Sequence, residues 1–150
     1  MNTKQDVEDF LASKSVAVVG VSRDSISMSV AAYRQLKTGG YQVLAVNPNA
    51  QTIEGDTAYA TLSALPKKPD GAIFFTQPAQ TLNALKEAKQ LGIRHVWIQQ
   101  GAESPEVIKY CQENELAAVT KQCIMMFAPP VASFHAFHRG IKRFFGGLPK

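Results

Sequence analysis

The stretch that decides the fold is VAVVGVSRD, Val16 to Asp24. Four apolar residues run into a single glycine, followed by a small residue, a serine, an arginine and an aspartate. An unbroken apolar run of this kind is the mark of a strand buried on both faces. Gly20 then permits a tight turn that a Cβ would hinder. A helix that follows such a turn presents free backbone N–H groups and the positive end of its dipole. Ser22 adds a hydroxyl, and Arg23 can fork onto a phosphate. The loop reads as a phosphate cradle. A plain strand-to-helix turn with a surface arginine is the competing reading, because one glycine alone is a weak signal. The G-x-G-x-x-G fingerprint lacks its later glycines, so the loop suits some phosphate-bearing ligand other than a standard dinucleotide.

Outward from this loop, strand and helix patterns alternate. Val7, Phe10 and Leu11 at i, i+3 and i+4 predict a short leading helix. Residues 15–19 form the first strand, and a helix over 29–38 stops at Gly39-Gly40. Residues 42–46 form the second strand, which ends at Asn47-Pro48. A polar loop with a helical turn near 61–65 follows. Residues 72–75 form the third strand, residues 81–91 a helix, and residues 95–99 the fourth strand. Ser104-Pro105-Glu106 is a helix start with a serine cap and proline at the first helical position. That helix runs to about Asn114, and residues 117–120 form a fifth strand. The repeats predict an α/β fold: a doubly wound parallel sheet of about five strands, helices on both faces, and a C-terminal amphipathic helix. Ligands of such sheets bind outside the carboxyl ends of the strands, where strand order reverses. Those ends are residues 20–23, 47–48, 76–78, 99–101 and 122–124.

The bulk numbers allow one domain of this size. The chain has 150 residues, 45% hydrophobic and 19% charged, enough for a real core. We expect a nucleotide-binding domain over residues 1–128 and a basic extension over 129–150. The opening MNTKQDVEDF is polar and acidic rather than a signal peptide. No apolar run approaches the length of a membrane span. Cys111 and Cys123 make no disulfide framework, so a reduced cytoplasm is the expected compartment. The net charge of +4 is unevenly placed. From Lys121 onward there are five basic residues and no acid, which leaves residues 1–120 at −1. The basic character belongs to the tail, which argues against nucleic acid as a partner.

The second strand separates ligand classes. A NAD-binding domain places Asp or Glu at its end to hold the ribose hydroxyls. Here it ends in Asn47-Pro48, with no acid until Glu54. NAD is disfavoured; NADP stays open, since Arg23 could meet a 2′-phosphate. Pro48 holds the chain extended and has no N–H, so Asn47 offers its side chain at the strand tip, or else the pair is a simple turn.

Five blocks in order then carry a resemblance: VAVVGVSRD; LAVNPN with IEG and AYATLSALP; DGAIFFTQP; HVWIQQGAES; and VTKQCI. Spread over about residues 6 to 125, they resemble the small CoA-binding protein family. Its members are similar to the N-terminal CoA-binding domain of the succinyl-CoA synthetase α subunit. The resemblance implies a Rossmann-like domain holding coenzyme A across the strand tips. It places the diphosphate near Gly20, Val21, Ser22 and Arg23, and the nucleotide also beside Val46, Asn47 and Pro48. The adenine or pantetheine region would pass Phe75, Thr76, Gln77 and Pro78, with Gln100, Gly101 and Cys123 toward the thiol. Coenzyme A carries a diphosphate and a separate 3′-phosphate. A serine and an arginine suit that charge, and an acid at the ribose would repel it. The chain departs from the family pattern at Ser29, where members often have a glycine; this predicts a less close approach of helix to phosphate.

Other chemistry is sparse. Cys123 near the thiol end could form a mixed disulfide with coenzyme A, although a free cysteine is more often a buried, inert side chain. Cys111 and His95 read as structural. His135 and His138 at i, i+3 are one side of a metal site without further ligands. The synthetases use a phosphorylated histidine in a separate domain, which these residues do not contain. No catalytic constellation stands out. In the tail, Phe134, Phe137, Ile141, Phe144 and Phe145 form an apolar stripe at helical spacing, interleaved with His135, His138, Arg139, Lys142 and Arg143. It suits packing on the body, a second subunit, a protein partner or a membrane surface. The expected function is non-enzymatic binding of CoA or acyl-CoA. The alternatives are an NADP- or other nucleotide-dependent enzyme component, or an adaptor that docks a membrane or partner through its tail.

Overall fold

Alternate residues of the first strand face opposite ways, and this splits the core in two. In the computed structural model, which describes residues 1–127, β1 (Ser15–Val19) sends Val16 and Val18 to one face and Ala17 and Val19 to the other. All four are buried, as a central strand requires. The C-terminal helix expected over 129–150, with its histidines and phenylalanines, lies outside the described residues.

The first face is covered by α1 (Lys4–Leu11) and α2 (Met28–Thr38). Phe10, Tyr33 and Leu36 pack there against Val16, Val18, Ile73, Trp97 and Val119. Trp97 stands between Phe10 and Phe127, with ring centroids 5.4 Å from each. Its indole N–H donates to the Gln122 carbonyl at 3.0 Å, which removes the cost of burying it unpaired. The second face is covered by α3 (Pro78–Gln90) and α4 (Pro105–Glu113). Leu85, Ala88, Val107 and Cys111 pack there against Ala17, Val19, Phe74, Val96 and Ile98.

The sheet runs in the order β3-β4-β2-β1-β5-β6-β7. Here β2 is Gln42–Val46, β3 Thr52–Ile53, β4 Asp56–Tyr59, β5 Gly71–Phe74, β6 His95–Gln99 and β7 Ala117–Gln122. The five predicted strands are its parallel centre, with β2 and β5 flanking β1. Chain order therefore reverses beside β1, and Gly20 sits at that switch point. The two further strands form a hairpin in the segment predicted as polar loop, with β4 parallel to β2 and β3 antiparallel to β4. Its turn, Glu54-Gly55, has φ of 52° and 81°, the two positive values that a tight hairpin turn demands. Bonds to α2 hold the hairpin. The Tyr33 hydroxyl donates to Asp56 and Lys37 pairs with the same carboxylate, each at 2.6 Å; Arg34 pairs with Glu54 at 2.6 Å.

Candidate functional site

The loop after β1 is shaped by what surrounds Gly20. Its φ is +85°, and a Cβ there would stand 2.8 Å from Thr76 Cγ2 and 3.2 Å from the Phe75 carbonyl carbon. The glycine thus lets the tips of β1 and β5 close up. Thr76 is itself fixed, its hydroxyl 2.7 Å from that of Thr81, which is wholly buried. The tip of β2 is tied in by Asn47. Its Nδ2 donates to the Val21 carbonyl at 2.8 Å, and its Oδ1 accepts from Asn49 N at 2.7 Å. Asn47 is therefore a brace between loops as well as a group at the strand tip.

These three tips enclose a cavity of about 400 Å³ on the α3 side. Gly20, Val46, Asn47, Pro48 and Thr76, all singled out in the sequence, line it together with Thr61, Leu62, Gln80, Asn83, Ala84 and Glu87. The α3 residues were not anticipated. Their spacing carries a readable signal, because positions 80, 83, 84 and 87 fall at i, i+3, i+4 and i+7 on one helix face. Glu87 is engaged, with its Oε1 accepting the Ser63 N–H at 2.9 Å.

On the α2 side, the segment from Ser22 to Ser29 forms a closed hydrogen-bonded turn. Ser22 N donates to Ser29 Oγ at 2.9 Å, and Ser22 Oγ accepts from Asp24 N at 2.9 Å. Asp24 Oδ1 accepts from Ile26 N at 3.1 Å. Ser27 caps α2 through Val30 N at 3.3 Å. Ser29, the residue in place of a loop glycine, thus organises the loop and takes up the Ser22 amide. Val21 is fully buried. Arg23 is exposed, and its guanidinium meets no hydrogen-bond or ion-pair partner among the described residues.

The remaining predicted residues continue along the row of strand ends. Phe75 packs half-buried against the α1/α2 face. Gln77 is exposed at the N-terminal boundary of α3, and Pro78 is the helix's first residue. Gln100 and Gly101 form an exposed turn, with Gly101 N donating to Glu103 Oε2 at 3.0 Å. Cys123 is half-buried beyond β7, on the α2 side, and does not line the cavity. Gln99, which the sequence placed at a strand end without a binding role, holds it and is 3% exposed. Gln99 Nε2 lies 3.2 Å from Cys123 Sγ and 3.9 Å from Met28 Sδ, and its Oε1 accepts from Ile124 N at 3.1 Å. An irregularity in the ladder turns the chain here. Ile98 pairs with Thr120 but Gln99 with Gln122, leaving Lys121 as an extra residue at φ 61°; such bulges re-aim side chains beside sites. Cys111, by contrast, is sealed on the inner face of α4, and burial pushes its thiol up to about 11. It is inert at neutral pH.

The row of strand tips carries a cavity at β1, β2 and β5, a helix N-terminus and an exposed arginine in the loop after β1, and a half-buried thiol beyond β7. Among the described residues, no group of three His, Cys, Asp or Glu could hold a metal ion, and no helix is long and apolar enough to cross a membrane.

Comparison with known proteins gives the same outline. The family model described as CoA binding domain matches residues 14–129. The uncharacterised protein YneT of Bacillus subtilis is 24% identical over 123 residues, 81% of this chain and 91% of that protein. A conserved hypothetical protein of Pyrococcus furiosus is 33% identical; the match covers 75% of this chain and 97% of that one, with a TM-score of 0.71. The dinucleotide-forming acetyl-coenzyme A synthetase 1 of Ca. Korarchaeum cryptofilum shares the fold at 20% identity and a TM-score of 0.63. That match covers 75% of this chain and 27% of the synthetase.

Proposed function

This chain belongs to the CoA binding domain family, and from that premise we propose that it binds coenzyme A or an acyl-CoA across its strand tips, as a binding module rather than a catalyst. The observation that carries the reading is the pairing of Gly20 with Arg23. Gly20 lines the cavity between β1, β2 and β5, and three residues on, in the same loop, the exposed Arg23 guanidinium meets no partner among the described residues. The nucleotide end takes the cavity, where Asn47, Thr61, Gln80 and Asn83 supply amides and hydroxyls. The diphosphate lies at the start of α2, where the helix dipole favours negative charge. The Ser22 amide is spent on Ser29, so the anion is left with the free N–H groups of the first helical turn and the Ser22 hydroxyl. Arg23 meets the 3′-phosphate. The pantetheine arm passes Thr76, Gln77 and Pro78 toward Gln100, Gly101 and Cys123.

Calorimetric titration of the full chain with CoA, acetyl-CoA, NAD and NADP tests this directly. Saturable CoA binding without binding of either nicotinamide dinucleotide is expected. NADP binding, or no binding at all, would sink the reading. Arg23→Ala should weaken CoA about tenfold, the worth of one exposed charge-assisted contact, and leave dephospho-CoA nearly unaffected. Equal losses for the two ligands would move Arg23 to the diphosphate.

A further inference from the structure

We infer that Glu87 selects the base of the ligand: its carboxylate accepts the exocyclic amine of adenine in the cavity between β1, β2 and β5. This rests on the CoA reading and adds what the cavity recognises. Among the described residues that line the cavity, Glu87 is the one that carries a charge. It is half-buried, one turn along α3 from Asn83 and Ala84. Its Oε1 accepts the Ser63 N–H at 2.9 Å. Ser63 lies in the short turn Leu62–Ala64, which Thr61 caps through Ala64 N at 3.2 Å. The carboxylate is therefore held between α3 and that turn, and its Oε2 meets no partner among the described residues.

A carboxylate offers acceptors only, so the free oxygen calls for a donor from the ligand. The nucleotide end of coenzyme A brings two kinds, the ribose 2′-hydroxyl and the exocyclic amine of the base. The hydroxyl is next to the 3′-phosphate. Seating it on Glu87 would set a phosphate beside a carboxylate, with no cation in the lining to offset the repulsion. The amine lies on the edge of the purine remote from the ribose and its phosphates. It gives Glu87 a donor and keeps the phosphates away. Arg23 does not line the cavity, in keeping with a 3′-phosphate that stays outside.

The rest of the lining suits a flat ring. Val19, Val46, Leu62 and Ala84 are apolar, and Gln80 and Asn83 add amides on the same helix face as Glu87. Apolar walls with a few polar groups are what fix the orientation of a ligand in a pocket. The carboxylate then decides between bases. Adenine turns an amine toward it. Hypoxanthine carries a carbonyl oxygen at the same position and would set acceptor against acceptor.

The test is calorimetry of the full chain with CoA and with deamino-CoA, whose base is hypoxanthine, repeated with Glu87→Gln. The glutamine Oε1 can still accept the Ser63 N–H, so the tie to the turn survives and a thermal melt verifies the fold. Its amide nitrogen then stands where Oε2 was, a donor in place of an acceptor. The wild-type chain should bind CoA at least about tenfold tighter than deamino-CoA, the worth of one hydrogen bond to a charged group. In the variant the order should reverse. The ratio of the two affinities is the readout, because removing a negative charge alone shifts both ligands alike. If the wild type binds the two equally, the base inference falls and the CoA reading stands. If the variant keeps the wild-type preference, another group reads the base and the inference falls. If neither ligand binds, the CoA reading falls and takes the inference with it.

Discussion

Asn47 Nδ2 donates to the Val21 carbonyl at 2.8 Å, so the tip of β2 holds the loop that follows β1. The two residues lie 26 positions apart in the chain, and the bond closes one rim of the cavity. Asn47→Asp replaces the donor with an acceptor that faces a carbonyl. It should lower stability by about 1–2 kcal/mol, read from urea unfolding. It should also weaken CoA more than Asn47→Ala does, because it sets a negative charge at the proposed nucleotide end of an anionic ligand. An aspartate variant as stable as the wild type would mean that the Val21 bond contributes nothing.

Gly20→Ala probes the closeness of β1 and β5. The new Cβ would stand 2.8 Å from Thr76 Cγ2 and 3.2 Å from backbone atoms of Phe75 and Thr76, at a φ of +85°. Thr76 cannot swing aside without losing its partner Thr81. Strain and overpacking together should cost roughly 2–3 kcal/mol, a fall in Tm of about 5–10 °C. Adding Thr76→Ser removes Cγ2 and keeps the hydroxyl. It should recover part of the loss and leave the backbone share. Full recovery would show that the backbone tolerates a side chain at this φ.

Much of the fold was legible because its central strands are buried on both faces. Val16 to Val19 and Val96 to Ile98 read as uninterrupted apolar runs for that reason. The hairpin Thr52–Tyr59 was not legible. Its strands have two and four residues, and Ile53 is the one fully buried side chain among them. Neither a period of two nor an apolar run can show in so short a span. Its one signal was Glu54-Gly55, a turn pair between residues too polar to suggest strands. In the site, glycine and proline punctuation marked the tips, and Gly20, Asn47, Pro48 and Thr76 came together as expected. Gln99 was placed at the end of the fourth strand, but its bridging role was not legible, because the partners it meets, Met28, Cys123 and Ile124, lie far from it in the chain. The bulge at Lys121 had no signal at all, since lysine has no preference for a positive φ. The Gln80, Asn83 and Glu87 stripe was present in the sequence. It was hidden by the habit of reading a helix for its apolar face alone.

Asp70 gives the chain a measurable acid response. Its carboxylate accepts Lys14 N at 2.9 Å and Ser15 N at 3.2 Å, pinning the start of β1 to the entry of β5. In return Asp70 N donates to the Ser15 hydroxyl at 3.0 Å. The Lys14 amide first, and the Ser15 amide after it, hold the carboxyl below its ordinary value of 3.8. A carboxyl whose folded pKa is depressed stabilises the fold above its unfolded pKa, and that stability is lost as pH falls through the folded value. The group is exposed, so solvent screening keeps the contribution to about 1 kcal/mol. Asp70→Asn retains an acceptor without the charge. The wild type should therefore be the more stable of the two near pH 6, and the gap should close as pH drops below about 3.8, where the aspartic acid is protonated and resembles the amide. Comparing the pair by urea unfolding across that range cancels the other carboxylates, which titrate alike in both proteins. A gap that stays constant with pH would mean that Asp70 acts through its shape and not through its charge.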